Sequence, residues 1–177
     1  MPPPESRGDH FGLGDAEIAV ITDPGRLQAV HDTGLSDQGS PDLDAVARLA
    51  ATALGVPYAA ITLVDRDSQL MAGRHPGAPA GDRRLPLEAS LCKFAVATGK
   101  PFIVDDTRRD PLVAGTPLVR SGDVLAYAGI PLADHRHRIV GAMAAWDRHA
   151  RQWSAGQVQI LTDFSAVVAA KIFGRRP

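Results

Sequence analysis

The chain has 177 residues, 45% of them hydrophobic and 22% charged, with a formal net charge of −1. That is ordinary composition for one domain with a sizeable core, and it excludes a bulk binder of nucleic acid or of anionic membranes. The single cysteine, Cys92, excludes an intramolecular disulfide and a cysteine-rich zinc site, and no apolar run approaches the roughly 20 residues of a membrane span.

Met1 to Gly14 is polar and rich in Pro and Gly, without the basic and apolar run of a secretory signal. A reducing, cytoplasmic setting is therefore expected. Residues 1–22 are assigned to a flexible N-terminal segment, 23–173 to one domain and 174–177 to a C-terminal tail. Asp23-Pro24 predicts a helix start, with Asp as N-cap and Pro in the first turn, and the helix ends near Gly34. Ser40-Pro41 starts a second helix. Its Leu43, Val46, Ala47, Ala50, Ala53 and Leu54 make one apolar stripe, closed by Gly55. Tyr58 to Val64 and Ser68 to Gly73 read as strands around a polar turn, and Arg74 to Arg84 as loop. Ser90 is the predicted N-cap of a third helix running to Thr98, followed by a short strand, Phe102 to Val104. Asp105 to Asp123 is a long connection, and connections this long in compact domains are functional or mobile.

The stretch Ala126 to Asp147 predicts a hairpin, with strands Ala126 to Leu132 and Ile139 to Trp146 around a charged turn. Neither face of either strand is polar, so the pair belongs in the middle of a sheet covered on both sides. Pro131 has no N–H to donate, so pairing on one side weakens near it. Gly129, Gly141 and the alanines leave room that a helix or a ligand must fill. The last helix opens with the capping pair Ser154 and Gln157. Its apolar residues form two adjoining stripes, Val158, Leu161, Val168 and Ile172 beside Ile160, Phe164 and Val167, which is more than one sheet face requires. A homodimer through this helix is expected. The order of elements gives an α+β domain with a mostly antiparallel sheet and helices on both sides.

Six segments in order carry a family resemblance: Asp23-Pro24 through Thr33-Gly34-Leu35, Ala60 to Asp65, Ser90-Leu91-Cys92, Ile103 to Pro111, Tyr127 to Leu132, and Val140-Gly141 with Trp146-Asp147-Arg148. Together they resemble a GAF domain, a small-molecule-sensing module of bacterial signalling proteins. The resemblance covers about Asp23 to Ile172 and is greatest to the GAF domains found beside histidine kinases, diguanylate cyclases and regulatory serine phosphatases. It implies a non-catalytic sensory or regulatory role with a small molecule or a signalling protein as partner, and leaves the ligand open, since one fold hosts many. Family members that hold a bilin usually have histidine after the cysteine, where this chain has Lys93, so a bilin is disfavoured. Haem is disfavoured because nothing singles out an axial ligand among His31, His75 and His149. Members that reduce methionine sulfoxide use several cysteines, and one cannot form and recycle an intramolecular disulfide.

The expected pocket lies between the sheet and the Ser90 helix, with Asp105 to Asp123 as its lid. Its candidate lining is Cys92, Phe94, Asp106, Leu112, Tyr127, Gly129 and Met143. Tyr127 offers a ring and a hydroxyl. Asp106, with Asp110, resembles the family's aspartates after the short strand and either caps the next turn or touches a ligand. Cys92, near a helix start where amide dipoles lower a thiol pKa, reads as a redox-sensitive thiol or as a small packing residue. His135 and His137 lack a further ligand and sit among arginines, so no metal site is assigned. Two alternatives to ligand sensing stay open: an interaction domain whose pocket is filled by its own side chains, and a thiol sensor or enzyme centred on Cys92.

Overall fold

The computed structural model describes residues 12–76 and 82–174. Its elements in chain order are α1 (Asp15–Ile21), α2 (Pro24–Asp32), α3 (Pro41–Leu54), β1 (Tyr58–Val64), β2 (Ser68–His75), β3 (Arg84–Pro86), α4 (Cys92–Thr98), β4 (Phe102–Val104), α5 (Pro117–Arg120), β5 (Ala126–Ala133), β6 (Ile139–Asp147) and α6 (Ala155–Phe173). The six strands form one antiparallel sheet in the order β3-β2-β1-β6-β5-β4. The predicted hairpin, β5 and β6, lies inside this sheet. Its Pro131 pairs only toward β6, because the pairing to β4 ends at Gly129. The carbonyl of Pro131 instead accepts from the Ser165 hydroxyl of α6.

Alternation along the strands sends side chains into two cores. Ala59, Ile61, Leu63, Leu70, Ala128 and Ile130 face α3 and α6. Val64, Tyr127, Ala142 and Ala144 face α1, α4 and the long connection. Two bulges adjust this pattern. One gives β2 an extra residue opposite Ile61 and Thr62, and Gly73 then lies so close to α3 that a Cβ there would stand 2.6 Å from the Leu43 backbone. The other, at Leu132 and Ala133, breaks the alternation of β6, so Val140 and Ala142, two residues apart, pack into opposite cores.

Each helix has a local reason to start. Asp23 accepts from the Arg26 N–H, Ser40 from Leu43, and Ser154 from Gln157, which bonds back to Ser154. Residues 15–21, assigned by sequence to a flexible segment, are helical: Glu17 reaches back to the Gly14 N–H, and Ile21 is buried against the second core. Residues 1–11 of that segment, the loop positions 77–81 and the tail positions 175–177 lie outside the described residues. Ser90 stands one residue before the cap position of α4, which is Leu91, yet its hydroxyl still accepts from the Lys93 N–H.

Arg26 ties α2 to the sheet. Its guanidinium is buried and donates to the carbonyls of Ile21, Val64 and Ile139. Burial lowers its pKa to about 10, with Asp65 and Asp23 opposing the shift, so it stays charged at neutral pH. Among the described residues no helix is long and apolar enough to cross a membrane.

Candidate functional site

The α4 side of the sheet carries a small, partly open cavity of about 50 Å3. Thr62 of β1, Gln69 of β2, Tyr127 of β5 and Cys92 at the start of α4 bring polar atoms to it. Met71, Ala144 and Trp146 supply apolar wall from the sheet, and Leu118 and Val124 close it from the long connection. No Lys, Arg, His, Asp or Glu is among its described lining residues.

Hydrogen bonds order the polar groups. Tyr127 donates its hydroxyl to Cys92 Sγ at 3.0 Å. Thr62 donates to the Ala142 carbonyl at 3.1 Å. The Ser90 hydroxyl, already accepting from Lys93, donates to Gln69 Oε1 in a short bond. Gln69 is 5% exposed, and its amide nitrogen has no hydrogen-bond partner among the described residues. Lys93 is 1% exposed, and its ammonium leaves the cavity to meet the carbonyls of Leu87 and Glu88.

The thiol is not activated. Cys92 is 3% exposed, and burial raises its pKa, offset only in part by the hydroxyls of Thr62 and Tyr127. The dipole of a seven-residue helix loses to desolvation here. Tyr127 is raised well above its ordinary range by burial first and by Cys92 second. Both groups are neutral at physiological pH.

The residues proposed from sequence divide among four places. Cys92 and Tyr127 meet at the cavity, and the Tyr127 ring lies over Gly129, where a Cβ would stand 2.5 Å from the phenol oxygen. Phe94 and Leu112 line an outer cleft of about 350 Å3 between α4 and the connection, together with Thr116 and Pro117. Phe94 also touches Phe102, which touches Tyr127, with ring centroids 5.1 and 5.9 Å apart. Asp106 lies in neither: it caps the turn Thr107–Arg109, accepts from the Arg108 N–H and pairs with the Arg108 side chain. Met143 is on the opposite side of the sheet, in the core under α3 and α6. Its assignment to the pocket is corrected, because consecutive residues of β6 point to opposite faces and Ala142 and Ala144 hold the cavity face. Sequence reading missed Gln69 and Trp146. The signal for Gln69 was its alternation with Leu70 and Ala72, which places it on the face across the sheet from α3.

Asp105 to Asp123 covers the cavity but is better anchored than its composition suggests. Val113, Val119 and Val124 are buried in the second core, and the Thr107 hydroxyl donates to the Val124 carbonyl at 2.8 Å.

A family model described as GAF domain matches residues 42–172. Comparison by sequence with curated proteins finds no match. Similar solved structures include the free methionine-R-sulfoxide reductase of Neisseria meningitidis in complex with its substrate (20% identity, 92% of this chain and 93% of that one, TM-score 0.58). The GAF domain of an Acinetobacter phosphoenolpyruvate-protein phosphotransferase is similar too, with 15% identity over 84% of this chain and 92% of that one and a TM-score of 0.61. So is a domain of a putative two-component sensor histidine kinase from Sinorhizobium meliloti, with 14% identity over 72% and 86% and a TM-score of 0.55. At these identities the likeness is one of fold, and with the family match over most of the chain it is enough to say that this protein belongs to the GAF domain family.

Proposed function

We propose that the chain is a non-catalytic regulatory module of a cytoplasmic bacterial signalling system, which receives a small molecule at the cavity beside α4 and answers through a protein partner or a second copy at α6. The observation that carries the non-catalytic half is the state of Cys92. Its thiol is buried and held protonated, it is the chain's single cysteine, and no charged side chain lines its cavity among the described residues. A thiol enzyme needs a thiolate, and a reductase cycle closed by a disulfide needs a second sulfur. The zwitterionic substrate of the Neisseria reductase would also have no charged partner in this cavity.

The test is direct. The purified chain is assayed with free methionine-R-sulfoxide and dithiothreitol, and no turnover above a Cys92→Ala control is expected. Cys92-dependent turnover would replace this reading with an enzymatic one. A second reading, an interaction domain with a filled pocket, is favoured by the cavity volume, since about 50 Å3 lies far below the roughly 300 Å3 at which drug-sized sites begin. Native mass spectrometry of protein purified from its own host separates the two, because a retained small molecule supports sensing.

A further inference from the structure

We infer that the cavity selects a small neutral molecule with a hydrogen-bond-accepting oxygen, an amide, ketone or sulfoxide of only a few non-hydrogen atoms, held on the free amide nitrogen of Gln69. This rests on the sensory reading above and narrows it to a class of ligand. Size comes first. A volume of about 50 Å3 lies far below the roughly 300 Å3 at which drug-sized sites begin, so the cavity takes a ligand of only a few non-hydrogen atoms. Charge comes second. The described lining contains no ionisable group other than Cys92 and Tyr127, both neutral, so a carboxylate, phosphate or ammonium would be buried unpaired.

Polarity comes third. Thr62 is committed to the Ala142 carbonyl, and Tyr127 and Cys92 to each other, which leaves the Gln69 amide nitrogen and the Trp146 indole N–H as the lining donors without a partner among the described residues. Gln69 is committed on one side only. Ser90 receives the Lys93 N–H and gives its proton to Gln69 Oε1, which turns the NH2 group of Gln69 away from that bond. Gln69 is nineteen-twentieths buried, and its amide nitrogen has no hydrogen-bond partner among the described residues but is not among the fully buried polar atoms, so it keeps a donor open to the cavity. A ligand oxygen accepts from it, while the remaining atoms rest on Ala144, Val124 and Trp146.

The experiment titrates the full chain with acetamide and, separately, with acetate, which matches its shape and carries a charge. The readout is the side-chain amide resonance of Gln69 in nitrogen-15-labelled protein. Saturable shifts are expected with acetamide in the millimolar range, and at least about tenfold weaker ones with acetate. Gln69→Leu should weaken acetamide binding by about tenfold, read from the Trp146 indole resonance. Because that change leaves Ser90 without its acceptor, Ala144→Val serves as a second variant: it fills the space, spares the polar network and should abolish the shifts. Equal response to acetate, or no saturable response to acetamide, overturns the inference and leaves a cavity that holds water alone. Failure here with no reductase turnover leaves the regulatory reading standing. Turnover removes that reading whatever acetamide does.

Discussion

Gly129 and Tyr127 act as one unit. The phenol ring occupies the space a side chain at Gly129 would take, and this places its hydroxyl on Cys92. Gly129→Ala therefore has to displace the ring from a closed core, at a cost of about 1–3 kcal/mol. A urea midpoint that falls accordingly would support this, and an unchanged midpoint would show that the ring moves freely. The sequence put Tyr127 and Gly129 on one face of a strand but left the space beside Gly129 to a helix or a ligand, and it is the Tyr127 ring that takes it. Sequence alone could not place Met143. When both faces of a strand are apolar, parity groups the residues without saying which group meets which helix. Gln69 was hidden for the opposite reason, since a lone polar residue in a short strand reads as solvent-facing until the covering layer is known.

Among the elements, α6 departs most from its pattern. Leu161, Ser165 and Val168 are its buried line, against α3 and β5. Ile160 and Phe164 are half-buried on the same core, and Val167 remains 49% exposed. Part of the second stripe is thus absorbed by the chain itself, through α3 rather than α2. Leu49 of α3, 58% exposed, adds a second apolar residue to the outer surface. Phe164→Glu would damage the fold in a monomer or a dimer, so Val167→Glu is the cleaner probe. If two copies associate through α6, Val167→Glu should lower the sedimenting mass and leave the thermal midpoint nearly unchanged. A wild-type chain that sediments as a monomer at high micromolar concentration would end the dimer proposal. The long connection makes a separate prediction. Its turns are short and its buried residues include Thr107, Val113 and Val119, whereas β5 is paired along its length to β6 and at 127–129 also to β4. Amide exchange should be faster across 105–123 than across 126–132. Equal protection would mean that the connection is not a lid.

Over the whole molecule, titration bounds the range of stability from both ends. Cys92 and Tyr127 hold their protons more tightly folded than unfolded. Their contribution is complete below the ordinary thiol value of 9.0 and declines as pH rises beyond it, because the unfolded chain then releases protons that the folded chain keeps. Asp44 and Asp134 behave in the opposite sense. Burial disfavours their charge, but bonds from Arg83 and Arg74 to Asp44, and from Arg138 and Arg136 to Asp134, outweigh it and hold both carboxyls below the usual 3.8. Their contribution is complete above that value and is lost as pH falls through the folded range. Urea midpoints across pH should trace a plateau with two shoulders, and Cys92→Ala should delay the alkaline one. An alkaline limb identical in Cys92→Ala would mean that the thiol has no part in it.

Arg26 has a consequence for the order in which the molecule assembles. Its acceptors come from α1, from the end of β1 and from the start of β6, and the last lies 113 positions away along the chain. The guanidinium cannot be satisfied until β6 has joined β1, so its bonds belong to the late side of the folding barrier. Arg26→Met should accordingly leave the refolding rate nearly unchanged and speed unfolding, so that nearly all of the lost stability appears in one limb of the chevron. Slower refolding would instead mean that the N-terminal helices dock before the sheet closes. With late docking, the chain has a lifetime before it has a finished corner: α1 and α2 are the last parts to lock and the first to let go, and a protease that samples the folded protein should cut there while the sheet is still whole.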